Sequence, residues 1–152
     1  MLTIYVDADA CPVKEEIYRV ARRYSMPVIV VANTSLRVPT DKLIQLVVRS
    51  EVGLNIVDDW IAEQCGRGDI VVTSDIPLAA RCVAKQARVL DPKGREFTET
   101  DIGETLAMRD LLDELRQTGA ITGGPAPMTA KDSSRFLSKL DDLINAVQRT
   151  QR

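Results

Sequence analysis

Four aspartates carry most of the chemistry available to this sequence: Asp7 and Asp9 near its start, Asp58 with Asp59 beside it, and Asp75. The chain contains no histidine. Ser-His-Asp and Cys-His relays are therefore excluded, as is His-ligated zinc, and any hydrolytic reaction has to run on carboxylates, lysine or hydroxyls. Carboxylates brought to one place repel one another and hold their protons unless cations compensate them. Mg²⁺ or Mn²⁺ is the natural compensation, because hard divalent ions take oxygen ligands and combine a few carboxylates with substrate phosphate. A metal so held activates water and neutralises charge developing on a phosphodiester. Taken singly, Asp58 and Asp75 fit a second role equally well, since aspartate at a helix start caps free N–H groups and favours the helix dipole.

The elements decide whether these acids meet. Leu2 to Val6 is a short apolar run that reads as a buried strand. Pro12 then stands at a helix start, followed by Val13, Ile17, Val20, Ala21 and Tyr24 at helical spacing. Further strands are predicted at 27–32, 43–48, 70–73 and 87–90, with helices at about 58–65 and 77–86. Continuous rather than alternating hydrophobicity marks strands covered on both faces, so the first 95 residues read as a mainly parallel, doubly wound α/β core. Residues 96–152 read as a helical part, with helices at 101–117 and from Thr129 onward, docked on the same core in one domain spanning 1–152. In such a fold the ligand site lies beyond the carboxyl ends of the strands. Asp7, Asp9, Asp58 and Asp75 all fall on that rim. Asp69, at the other end of the strand that Asp75 closes, lies about 20 Å from it at 3.3 Å per residue and belongs to the opposite rim in a structural role.

Lesser candidates share the rim. Asn33 ends the second strand, Thr73 and Ser74 adjoin Asp75, and Arg37 lies in the loop after Asn33; each is placed to meet water or phosphate. The loop Thr122-Gly123-Gly124-Pro125 precedes the last helix and lacks phosphate-loop spacing. Thr129 with Asp132 forms a capping arrangement there, and Arg135, one turn in, is a candidate substrate contact. Three cysteines without C-x-x-C spacing indicate reduced thiols. With neither a membrane-length apolar run nor a signal-like start, the protein is expected to be cytoplasmic, with no membrane partner. A formal charge of −2 is unusual for a nucleic-acid binder, but taking the four rim aspartates out of it leaves +2 on the rest of the chain.

Asp7-Ala8-Asp9-Ala10-Cys11-Pro12-Val13-Lys14, Gly68 through Ala79 and Thr122-Gly123-Gly124-Pro125 together resemble the signatures of the uncharacterised bacterial YaiI/YqxD family, over nearly the whole chain. That family is grouped with the PIN-like nuclease superfamily. The resemblance implies a three-layer α/β/α sandwich and cleavage of RNA, or of single-stranded or flapped DNA, with Mg²⁺ or Mn²⁺ as cofactor. It implies metal and catalytic roles for Asp7, Asp58 and Asp75, with Asp58 lying in Asp58-Asp59-Trp60-Ile61-Ala62, a segment similar to that of flap-endonuclease-like members; the counterpart of Asp9 is looser. Two other readings stay open. Asp7-x-Asp9 is also the nucleophile and acid–base pattern of haloacid-dehalogenase-like phosphatases, although Cys11 stands where those usually place Thr or Val and Thr73-Ser74 and Lys85 match only loosely, and a non-catalytic RNA-binding or regulatory module would keep the same fold.

Overall fold

A computed structural model describes residues 2–53, 55–122 and 127–150. The strands are β1 (Ile4–Asp7), β2 (Val28–Ala32), β3 (Ile44–Val48), β4 (Ile70–Val72), β5 (Arg88–Leu90) and β6 (Glu96–Phe97). The helices are α1 (Lys14–Tyr24), α2 (Ile56–Gln64), α3 (Ile76–Ala84), α4 (Ile102–Gln117) and α5 (Ala130–Thr150), and a 3-10 turn at Ala8–Ala10 follows β1. They form one six-stranded sheet of order β3-β2-β1-β4-β5-β6. The first five strands are parallel and β6 is antiparallel to β5.

Alternate strand residues feed two cores. Ile4, Val6, Val28, Val30, Ile70 and Val72 pack with α1 and α5 on one face. Tyr5, Val31, Val71 and Val89 pack with α2 and α3 on the other, where Ile102 of α4 joins them. This is the three-layer α/β/α sandwich expected of strands that read as uninterrupted apolar runs.

Two local features differ from the sequence reading. The sheet does not stop at residue 95: Glu96 and Phe97 add an antiparallel edge, too short to leave a periodic pattern, anchored by Phe97 in the core and by Arg88 pairing with Glu96 at 2.6 Å. The two late helices also fall on opposite faces. α5 buries Phe136, Leu140, Leu143, Ile144 and Val147 beside α1, whereas α4 buries only Thr105 and lies on α3.

The chain order places the site. From β1 the chain moves outward through α1 to β2 and β3, then returns through α2 to β4 on the other side of β1 and continues through α3 to β5. Because α1 and α3 cover opposite faces, the connections leaving β1 and β4 part and open a crevice at their carboxyl ends. The turn between β5 and β6 lies at the same end of the sheet. Gly94 in that turn has φ +91°, and a Cβ there would meet the α5 backbone at Arg135 at 2.9 Å, so glycine permits both the conformation and the close approach.

Candidate active site

Asp7 is the last residue of β1, and its half-buried carboxylate accepts a hydrogen bond from Thr73 Oγ1 at 2.8 Å. The same hydroxyl accepts from the Asp75 backbone N–H at 3.0 Å. Thr73, itself buried, thus joins the end of β1 to the end of β4, and its hydroxyl is engaged by protein groups. Asp75 caps α3, accepting from Leu78 N at 2.9 Å through Oδ1, with Pro77 in the first turn. Its capping and rim positions coincide.

Asp58 does not cap. The residue before α2 is Asn55, held at φ 63°, and Asp58 stands in the helix's first turn. From there its carboxyl hydrogen-bonds that of Asp75. Burial, followed by the charges of Asp75 and Asp7 and by that hydrogen bond, pushes Asp58 up to about 7 against the opposing pull of Arg81. Near neutrality Asp58 therefore still holds its proton in part, as crowded, half-buried carboxyl groups require. Burial also pushes Asp7 upward; the Thr73 hydrogen bond lowers it, and the charges of Asp75 and Asp9 raise it further. Asp59 leaves the group and pairs with Arg81 at 2.7 Å.

Asp9 sits in the 3-10 turn, exposed, with Oδ1 accepting from the Asn33 backbone N–H at 3.4 Å. Beside it opens a cleft of about 430 Å³ whose lining includes Asp9, Asn33, Arg49, Glu51 and Asp58. Arg49 is the residue that sequence reasoning missed. It follows β3 directly, as Asn33 follows β2, and that shared offset past two paired parallel strands was the available signal. Arg37 is exposed and does not line this cleft. Ser74 is exposed beside the group. Arg135 is exposed and pairs with Asp132 at 3.4 Å, while Thr129 and Asp132 exchange the capping hydrogen bonds that their spacing suggests. Gly123, Gly124 and Pro125 lie outside the described residues.

The YaiI/YqxD family description, "Uncharacterized BCR, YaiI/YqxD family", matches residues 5–146, from the middle of β1 to the last turns of α5. The chain belongs to this family. A UPF0178 protein of Rhodopseudomonas palustris (strain BisB18) is 54% identical over 149 residues, covering 98% of this chain and 96% of the relative. A UPF0178 protein of Bradyrhizobium diazoefficiens is 56% identical over 146 residues, covering 96% and 87%. No solved structure matches the chain. The YaiI/YqxD match takes in every rim residue described above.

Among the described residues no three acids already stand as ligands around one point. The donor set nonetheless suits a hard divalent ion. It consists of carboxylate and hydroxyl oxygen without imidazole, and Asp58 keeps a proton where a cation would serve.

Proposed function

We propose that this YaiI/YqxD protein is a Mg²⁺- or Mn²⁺-dependent phosphodiesterase that cleaves RNA, or single-stranded or flapped DNA. One observation carries the reading: Asp7, Asp58 and Asp75, from three separate segments of chain, meet at the crevice between β1 and β4, where burial first and the neighbouring carboxylate charges second raise the proton affinity of Asp7 and Asp58. The resemblance to PIN-like nucleases that the sequence motifs carry supports the same chemistry.

In this reading Asp7, Asp58 and Asp75 hold the metal, with Asp9 assisting from the 3-10 turn. When bound, the ion supplies an activated water and offsets charge on the phosphodiester. The chain's own contribution is positional. Thr73 fixes the Asp7 carboxylate, the α3 cap fixes Asp75, and Asp58 gives up its proton before it can act as a ligand.

The phosphatase reading loses a component. Lys85, its lysine candidate, ends α3 and donates to Ala62 O at 2.6 Å and Glu63 O at 2.9 Å at the end of α2, roughly 15 Å down the helix from the Asp75 cap. It serves as a helix C-cap.

Titration calorimetry with Mn²⁺ at pH 7, in buffers of different ionisation heat, tests the proposal together with oligonucleotide cleavage. Wild type should bind Mn²⁺ with proton release and cleave in its presence, and Asp7→Asn and Asp75→Asn should do neither. Equal Mn²⁺ binding by wild type and both variants would instead leave a non-catalytic module.

A further inference from the structure

Beside the carboxylate group, one cation in the adjoining cleft has unfinished hydrogen bonding. The Arg49 backbone N–H bonds to Ala32 O at 2.8 Å, fixing the residue next to Asn33. One end of its guanidinium, Nη2, pairs with Glu51 at 2.8 Å. Its Nε is buried and has no partner among the described residues. Such a donor lacks the acceptor that buried N–H groups ordinarily find. A phosphate fits what is missing, because its two non-bridging oxygens match the guanidinium fork. The same cleft receives Ile56 and Val57 of the first turn of α2, where backbone N–H groups have no helical acceptors.

Position determines which phosphate. Arg49 follows β3 and Asp7 closes β1, with β2 between them, so the backbones of Arg49 and Asp7 stand two strand spacings, about 10 Å, apart. A phosphate gripped by Arg49 therefore lies along the rim from one held where β1 and β4 end. Asp58 belongs both to the acid group and to the cleft lining, so the two are continuous along the rim.

We infer that Arg49 is a specificity-determining residue that grips a second backbone phosphate of the substrate, so that the ligand is a strand with at least two phosphates and not a mononucleotide, Glu51 holding the phosphate's place in the free protein. This rests on the nuclease reading for its substrate class, and its test needs no turnover. Fluorescein-labelled octamers of deoxythymidine and of uridine are titrated in EDTA and followed by anisotropy. Arg67→Ala, the same charge change at the opposite end of the sheet, is the reference.

Arg49→Ala should weaken binding of the better-bound octamer about tenfold and reduce the slope of log Kd against log salt by about one, with Arg67→Ala changing Kd less than about twofold. Glu51→Gln should tighten binding severalfold. With Ca²⁺ in place of EDTA, so that the acids carry a cation, the dinucleotide pdTpdT should compete about tenfold better than thymidine 5′-monophosphate against wild type, and Arg49→Ala should lose that margin. Equal effects of Arg49→Ala and Arg67→Ala, or a monophosphate competing as well as pdTpdT, would overturn the assignment. If Arg49→Ala does not unfold cooperatively, Glu51→Gln decides, since it keeps the arginine: unchanged binding refutes the assignment. Absence of Mn²⁺-dependent cleavage with the Arg49 effect intact removes the nuclease reading and leaves the phosphate subsite; the reverse pattern removes the subsite alone.

Discussion

The two ends of β4 carry aspartates in opposite situations. At the amino end Asp69 is buried, and each carboxylate oxygen receives a backbone N–H, from Thr3 at 3.1 Å and Gly66 at 3.0 Å. Burial raises its proton affinity while those two bonds and the charge of Lys85 lower it. It ties the approach to β1 to the turn before β4. At the carboxyl end Asp75 also accepts a backbone N–H, but it shares the crevice with Asp58 and Asp7, whose charges oppose one another. One end is satisfied within the fold and the other is not. An acid that stabilises the fold needs nothing further, whereas acids that strain against one another remain in want of a cation.

Conservative substitutions should separate the two ends most sharply. Asp7→Asn and Asp75→Asn keep an acceptor for Thr73 and for the α3 cap, so folding should persist while Mn²⁺-dependent cleavage falls on the order of a hundredfold or more. Asp69→Asn should leave cleavage within about twofold, because Asp69 contacts nothing at that rim. A comparable loss of cleavage in Asp69→Asn, with unfolding unchanged, would break the contrast. Stability should respond the other way. Asp69→Ala strips acceptors from Thr3 and Gly66 and should destabilise by about 1–3 kcal/mol, lowering Tm by several degrees. Thermal unfolding in EDTA measures it.

These ends differed in legibility as well. That Asp69 and Asp75 bracket one strand followed from strand rise alone, and the placing of Asp7, Asp75 and Asn33 followed from parallel strands whose ends share a rim. The contact between Asp58 and Asp75 was out of reach. It depends on where α2 begins, and a left-handed Asn55 sets that start two residues earlier than the apolar pattern suggests. Arg49 was hidden differently. Edge strand β3 is half exposed, with Gln45 and Val48 open to solvent, so an arginine after it resembles any surface cation until β2 and β3 are put in register. The edge strand β6 is two residues long and is defined by pairing, which no local pattern encodes.

The smallest expected effect is the most specific to the crowded end. Asp58 titrates near pH 7 in the fold and near 3.9 in an unfolded chain, so between these values the folded state binds more protons than the unfolded one. Stability contributed by this group is therefore present at low pH and is lost as pH rises through about 7. Asp58→Asn removes the charge that the fold resists. In EDTA at pH 8 it should raise stability by about 1 kcal/mol, the half-exposed position and solvent screening keeping the gain small, and Tm should rise by about 2–4 °C. At pH 4 the gain should vanish, since wild-type Asp58 is then neutral in the fold. Adding Mn²⁺ at pH 8 should reverse the ranking, because a cation bound to native carboxylates stabilises wild type and finds one ligand fewer in the variant. A gain that persists at pH 4, or a ranking indifferent to Mn²⁺, would mean that Asp58 is not held at the expense of stability for an ion. Asp69→Asn, measured alongside, should show no Mn²⁺-dependent change of rank at any pH.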